Sequence, residues 1–243
     1  MQQRRSKYED SGIVLQVRKY SERKLIVDMV TREHGRATYI TSIGRATPRS
    51  LFQSFYILDI IATPPATTEG LHQLSEAQIS AHCTLALAYK NAARSAIVMM
   101  LSEVVLRVVR DSDTPLYSFL QDAIRLLNSL SDSTMIANFH LHFMVKLSEI
   151  LGYAPHNNYT QGSYFDIALG EFTEREPTHN LYLSAEQSLL LYSALSHSLS
   201  EGIHVPVNGA SRSAFLSSMV DYYGYHTQSI YDVRSIEIFG DIF

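Results

Sequence analysis

Residues 12–43 read GIVLQVRKYSERKLIVDMVTREHGRATYITSI, and this stretch decides the fold of the first part of the chain. At its start Ile13, Leu15 and Val17 alternate with other residues, which is the spacing of one face of a β-strand. Gly35 lies in a turn between two later apolar runs, where a positive φ is favoured. The stretch therefore predicts three consecutive strands joined by short turns.

The strand pattern continues beyond residue 43. A fourth run of aromatic and β-branched residues covers 52–61, a Pro-containing loop follows, and a short fifth strand is predicted at 71–74. Five short strands in about seventy residues are typical of a small closed or nearly closed barrel.

After residue 80 the apolar pattern takes on the period of a helix. Helices are predicted at 83–110, 115–130, 134–151, 184–199 and 211–223, with a weaker amphipathic stretch at 229–238. Residues 156–183 lack this period and predict an irregular or hairpin excursion. We therefore expect an α+β chain, with a β-barrel domain at 1–80 and an all-α helical domain at 81–243 that carries the excursion.

Charge is distributed unevenly along the chain. Residues 1–50 hold eleven Lys and Arg against five Asp and Glu, whereas the other 193 residues hold nine basic and 19 acidic side chains. The net charge is −4 and 46% of the residues are apolar, which excludes a uniformly basic coat protein and a disordered chain. A basic segment in an acidic chain indicates a polyanion site, and a solvated Arg-rich surface is the alternative.

Within the basic segment, cations alternate with aromatic residues. A protein that binds single-stranded nucleic acid needs cations along the phosphates and flat side chains on which bases stack. We therefore predict nucleic-acid contacts from Arg18, Lys19, Tyr20, Arg23, Lys24, Arg36, Tyr39, Arg45 and Arg49. The pattern does not fix the strand register, so a core position for Tyr39 stays open.

Motifs for catalysis and metal binding are absent from the sequence. There is no Gly-x-x-x-x-Gly-Lys-Ser/Thr loop, no Gly-x-Gly-x-x-Gly and no Gly-x-Ser-x-Gly elbow. His140 and His142 lie in a helical pattern, where residues i and i+2 point about 200° apart and cannot share one ion. The single cysteine, Cys83, excludes an internal disulfide or a four-cysteine zinc site and is interpreted as a small hydrophobe. We predict a non-catalytic protein without metal or cofactor.

The sequence also predicts a location. The longest apolar run in the central helices, 96–101, is far shorter than the ~18 residues that cross a bilayer. The first residues are polar and lack the apolar core of a signal peptide. We expect a cytoplasmic protein with no membrane contact.

Several segments resemble the bacterial DNA-repair family RecO. The first of them carry the patterns Gly-Ile-Val-Leu, Tyr-x-Glu and Thr-x-Glu-x-Gly, and a later one reads Leu-Gly-Tyr-Ala-Pro. The similar segments, in the same order and at similar spacing, are 11–15, 19–22, 25–27, 31–35, 143–147, 151–155 and 232–238. The likeness thus extends over nearly the whole chain.

The resemblance implies an N-terminal OB-fold barrel and a C-terminal helical domain. It implies a nucleoid-associated recombination mediator that binds single- and double-stranded DNA and anneals complementary strands without bond-breaking catalysis. With RecR it would help to load RecA onto strands covered by single-strand-binding protein (SSB). Many family members carry four zinc-binding cysteines after the Leu-Gly-Tyr-x-Pro segment, whereas residues 156–162 contain none, so zinc is not expected.

The helical domain is expected to offer a groove for the acidic, apolar-ended tail of SSB, with Arg212 or Arg234 pairing its carboxylate. A surface position without such a role is an equal alternative for both arginines. Two other hypotheses stay open: a protein–protein adaptor without DNA preference, and a helical metal-dependent hydrolase that uses scattered histidines and acids.

Overall fold

The computed structural model describes residues 6–67, 70–81, 88–110, 114–227 and 230. Within these residues a closed five-stranded barrel is followed by a helical region, which confirms the predicted fold class. Among the described helices, none combines the length and low polarity that a bilayer-spanning segment requires.

Five strands form the barrel: β1 (Tyr8–Lys19), β2 (Lys24–Thr31), β3 (Gly35–Ser42), β4 (Ile57–Thr63) and β5 (His72–Ile79). Their order around the barrel is β1-β2-β3-β5-β4, and β4 closes onto β1. Every pair is antiparallel except β3 and β5, which run parallel. Because closure pairs both edges of the sheet, the outer face and the two ends of the barrel carry the groups that can bind ligands.

A β-bulge in β1 changes which residues face the barrel interior. Val14 lies in the interior cluster and Val17 packs against it, whereas Ile13 and Leu15 are buried outside that cluster. The strand register shifts between Val14 and Gln16. The predicted shared face of Ile13, Leu15 and Val17 is therefore wrong, because the extra residue of the bulge moves the alternation by one position.

The last two strands differ in length from the prediction. The segment 52–56 forms turns rather than strand, and Phe55 has a φ of 61°. Phe52 and Phe55 are both 2% exposed, so their apolar character marks buried turn residues. The fifth strand runs to Ile79 because it pairs along nearly the whole of β4.

The described residues after the barrel form five α-helices: α1 (Ala92–Val108), α2 (Thr114–Ser129), α3 (Ser133–Ile150), α4 (Ala185–Ser196) and α5 (Gly209–Thr227). The first begins later than predicted, because a 3₁₀ turn precedes it and the Asn91 side chain accepts from the N–H of Arg94 as a cap. Ser184 and Gln187 form a capping box at the start of α4, and their Ser-x-x-Gln spacing is visible in the sequence. The helical stretch predicted at 229–238 lies, apart from Ile230, outside the described residues.

Residues 156–183, which we call the lobe, contain a small sheet in the order β7-β6-β8. Its strands are β6 (Tyr164–Asp166), β7 (Glu171–Thr173) and β8 (Tyr182–Leu183). Phe165 and Phe172 are buried and meet edge to face, with ring centroids 5.0 Å apart.

Two polar side chains tie the lobe together. Asn158 donates Nδ2 to the Phe172 carbonyl at 3.0 Å and accepts the Phe172 N–H at 2.8 Å. The buried Asp166 accepts the N–H groups of Ala168 and Leu169, and its Oδ2 lies 3.0 Å from Nε2 of His179. Packing and these hydrogen bonds therefore hold the segment in which zinc is not expected.

The chain divides into two compact units. One contains the chain up to Lys90 together with Leu101–Asn128, and the other contains Asn91–Met100 together with the chain from Ser129 onward. The domain boundary predicted after residue 80 stays a prediction.

Candidate nucleic-acid interface

The turn between β1 and β2 carries four of the predicted contact residues. The N–H groups of Tyr20 and Ser21 donate to the Lys24 carbonyl at 3.0 and 3.1 Å, which folds the turn tightly. Lys19, Tyr20, Arg23 and Lys24 are all exposed, and Tyr20 is exposed over 62% of its surface. The face of a ring so open to solvent is accessible to a nucleobase, so Tyr20 is a candidate for base stacking.

The loop after β3 lies beside this turn. The N–H of Ile43 donates to the carbonyl of Arg23 at 2.8 Å, which extends the β2–β3 ladder. The buried Thr47 hydroxyl donates to the Ser42 carbonyl at 2.5 Å and fixes the loop that carries Arg45. Thr47 is a positioning residue that the sequence analysis missed; the Thr-Pro pair typical of a turn was its signal.

We call Lys19, Tyr20, Arg23, Lys24, Arg45 and Arg49 the cationic end of the barrel. Its five cations are exposed, and within the described part of the chain none of them forms an ion pair. Glu22 is the acid in the same turn. A group of cations without acidic partners produces a positive potential that attracts polyanions and is screened by salt.

Two other predicted contacts are engaged in internal bonds. Arg18 is 55% exposed in its side chain, and its Nη2 donates to the buried Asp28 at 3.0 Å. Asp28 also accepts the Thr38 hydroxyl at 2.8 Å. Arg36 is half-buried, and its Nη1 donates to the Val109 carbonyl. Both guanidinium groups therefore already have an internal partner, and a contact of either with nucleic acid stays a prediction.

Tyr39 takes the core position that the sequence left open. It is 0% exposed and belongs to the interior cluster of the barrel. Its hydroxyl accepts from Tyr8 at 3.2 Å, and burial raises the pKa of the Tyr39 hydroxyl far above its ordinary value. A base cannot reach a ring in this position, so the structure contradicts a stacking role for Tyr39.

Of the two arginines predicted to bind a partner protein, Arg212 makes hydrogen bonds within the chain. Arg212 lies in α5 and donates Nη1 to Asn138 Oδ1 at 3.3 Å and to the Val207 carbonyl at 3.0 Å. Nearby, a cavity of about 260 Å³ is lined by Leu189, Leu190, Val205 and Pro206, among others. Arg234 lies outside the described residues.

The two histidines of α3 are buried. His140 is 1% and His142 is 2% exposed, and burial lowers the pKa of the first to about 3 and of the second to about 4. His142 Nε2 lies 3.1 Å from the His197 carbonyl. No group of three or more His, Cys, Asp or Glu among the described residues is arranged to hold a metal ion, and Cys83 lies outside them.

Comparison with known proteins identifies the family to which this chain belongs. Residues 2–82 match the model "Recombination protein O N terminal" and residues 90–233 match "Recombination protein O C terminal". The DNA repair protein RecO of Bacteroides fragilis is 31% identical over 241 residues, which cover 96% of this chain and 97% of that protein. The same-named proteins of Phocaeicola vulgatus and Azobacteroides pseudotrichonymphae are 30% and 24% identical, and each alignment covers at least 96% of both chains. This chain belongs to the RecO family of DNA repair proteins.

Proposed function

We propose that this chain is a recombination mediator that binds single- and double-stranded DNA at the cationic end of its barrel. The observation that carries the proposal is the set of five exposed cations on the β1–β2 turn and the loop after β3, which form no ion pair with any described residue, together with the exposed ring of Tyr20. Membership of a DNA-repair family supports it. The acidic remainder of the chain limits non-specific adhesion of nucleic acid elsewhere.

Phosphate neutralisation supplies most of the binding free energy in this proposal. Lys19, Arg23, Lys24, Arg45 and Arg49 each displace condensed counterions from the strand. Neutralising about five phosphates gives a log–log salt slope near −3.5, at roughly −0.7 per phosphate of a single strand. Binding is therefore tight at low salt and falls steeply as the salt concentration rises.

Stacking on Tyr20 gives the preference for single strands. Unpaired bases expose their faces, whereas bases inside a duplex are already stacked on each other. The ring of Tyr20 lies between Lys19 and the Arg23–Lys24 pair in the turn, so a base on the ring places its flanking phosphates near cations. Duplex DNA binds through its phosphates alone and more weakly.

The proposed action is physical rather than chemical. Cations that hold one strand reduce its repulsion toward a complementary strand, which speeds annealing.

In the cytoplasm, at the nucleoid, the chain would act with RecR to help load RecA onto strands covered by SSB. We propose that the SSB tail binds to the helical region that follows the barrel, with Arg212 and Arg234 as candidate contacts. Arg212 would act with the carbonyl and amide bonds it already makes.

Salt-dependent binding of the full chain to a labelled single strand tests the proposal. We expect a slope near −3.5 and, at equal salt, tighter binding to a single strand than to a duplex of the same length. Weak binding with a flat slope and no strand preference would instead favour the adaptor hypothesis and overturn the DNA site.

A further inference from the structure

Two histidines meet at the barrel end that lies opposite the cationic end. Tyr8 begins β1, His34 lies in the β2–β3 turn and His72 begins β5, so chain topology brings them to one place. Tyr8 stacks on His34 with ring centroids 3.9 Å apart, and the centroids of His34 and His72 are 5.9 Å apart. This histidine pair has no part in the proposed DNA function.

The carboxylate of Asp10 determines which ring nitrogen of His34 carries the proton. Nδ1 of His34 lies 2.7 Å from Oδ2 of Asp10, whose side chain is fully buried. Oδ1 of the same carboxylate accepts the N–H of Ser11 at 2.7 Å and of Glu33 at 3.2 Å. Because an ionised carboxylate only accepts hydrogen bonds, Nδ1 of His34 carries the proton. In the neutral ring Nε2 then carries a lone pair.

The hydrogen bonds around His72 also leave Nε2 for a ligand. Nδ1 of His72 lies 2.5 Å from the Tyr8 hydroxyl oxygen, so this nitrogen is engaged within the barrel. In the tautomer that a metal ion selects, Nδ1 donates to the Tyr8 hydroxyl, and the Tyr8 hydroxyl donates to that of Tyr39 at 3.2 Å. Nε2 of His72 then carries the lone pair.

The geometry of the two rings suits a shared ligand. With metal–nitrogen bonds of ~2.0–2.1 Å, a metal lies about 3.2 Å from the centre of each coordinating imidazole. Two such rings then have centroids about 5.2 Å apart at a tetrahedral angle and about 5.9 Å apart when the angle opens to roughly 135°. The observed 5.9 Å equals the separation expected for the wider angle, and the ring planes are inclined by 75°.

We propose that His34 and His72 bind a divalent transition-metal ion through their Nε2 atoms. Imidazole nitrogen suits Zn²⁺, Ni²⁺ and Cu²⁺ rather than Mg²⁺ or Ca²⁺. Asp10 and Tyr8 serve as the partners that hold each ring and its tautomer, as carboxylates commonly do for metal-bound histidines. Since no third His, Cys, Asp or Glu of the described residues joins them, solvent or a ligand oxygen completes the coordination.

Titration of the chelator-treated full chain with Zn²⁺ and, separately, Ni²⁺ tests the site by calorimetry. We expect one saturable ion per chain in the wild type and none in the double variant His34→Gln, His72→Gln. Asp10→Asn, which keeps both ligands, should weaken Zn²⁺ by ~10–100-fold. His156→Gln, at an exposed histidine of the lobe, is the matched control and should bind as the wild type does.

Thermal unfolding gives a second readout. An ion that binds only the folded chain raises the melting temperature, so Zn²⁺ should stabilise the wild type and leave the double variant unchanged. No saturable binding to the wild type, or unaltered binding to a double variant whose circular dichroism is native, overturns the proposal. DNA binding in the presence of chelator is expected to be unaffected, so the metal site and the DNA site fail or stand independently.

Discussion

The backbone N–H of Ile43 donates to the carbonyl of Arg23 over 2.8 Å, and this bond joins the two loops that carry the cationic end. It continues the β2–β3 ladder beyond the Lys24–Ser42 partners, so the β1–β2 turn and the loop with Arg45 are held by regular strand pairing. A backbone that the ladder already fixes loses little conformational entropy when DNA binds. The position of the charges is thus a property of the barrel itself.

Tyr20→Ala tests the stacking role. Removing the ring should weaken single-strand binding by about 1–3 kcal/mol and leave duplex binding nearly unchanged. Tyr20→Phe should retain most of the affinity, because stacking needs the ring rather than the hydroxyl. Fluorescence anisotropy measures both, and Tyr225→Ala, at another exposed tyrosine, is the matched control. Equal losses on single strands and duplexes would contradict the stacking role.

Tyr39→Leu separates a core residue from a DNA contact. Because Tyr39 is fully buried and bonded to Tyr8, the change should lower the free energy of unfolding by ~2–5 kcal/mol. Urea unfolding measures this loss. The salt slope of DNA binding, measured where the variant is folded, should equal that of the wild type. A variant of native stability with weak DNA binding would show that the core assignment is wrong.

Asn158→Ala tests what holds the lobe. The side chain satisfies both backbone groups of Phe172, and its loss should lower the free energy of unfolding by about 1–3 kcal/mol. Asn157→Ala, at the exposed neighbouring position, should change stability by less than about 0.5 kcal/mol. Both are measured by urea unfolding with chelator present. Equal stabilities for the two variants would exclude Asn158 as the tie.

The buried histidines of α3 make stability depend on pH. The pKa of His142 is about 4 in the folded chain, below its ordinary value of 6.5, so the unfolded chain binds a proton more readily. The resulting stability is complete above pH 6.5 and is lost as the pH falls toward 4. At pH 5 the loss is about 2 kcal/mol for this histidine.

Urea unfolding at pH 7.5 and pH 5 measures the effect. His142→Gln should reduce the difference between the two pH values by roughly the same 2 kcal/mol. His156→Gln, at an exposed site, should leave the difference unchanged. If His142→Gln and the wild type lose equal stability on acidification, the neutral burial of this ring is not the cause.

Local pattern was sufficient to predict the barrel and most helices. Alternation, turn residues and the Ser184 capping box depend on neighbours in sequence, and these features are present in the structure. The bulge between Val14 and Gln16 was not predictable, because it depends on pairing with β2 rather than on β1 alone. It separates Val17, which packs against the interior cluster, from Ile13 and Leu15.

The candidate site was predicted less completely for the same reason. Lys19, Tyr20, Arg23 and Lys24 share one turn, so their proximity is visible in the sequence. The pairing of Arg18 with Asp28 joins two strands, and Arg36 reaches a carbonyl 73 positions away. Long-range partners of this kind decide which cations stay available, and a single sequence does not contain them.

The most direct test compares salt slopes for two charge-reversed chains with the same net charge. In the first, Glu replaces the cations of the site at Lys19, Arg23, Lys24 and Arg45. In the second, Glu replaces cations elsewhere, at Lys7, Arg110, Arg125 and Arg175. The first should bind single strands weakly, with a slope reduced from about −3.5 to roughly −0.7, and the second should keep the wild-type slope. Equal slopes in the two variants would contradict a DNA site at the cationic end.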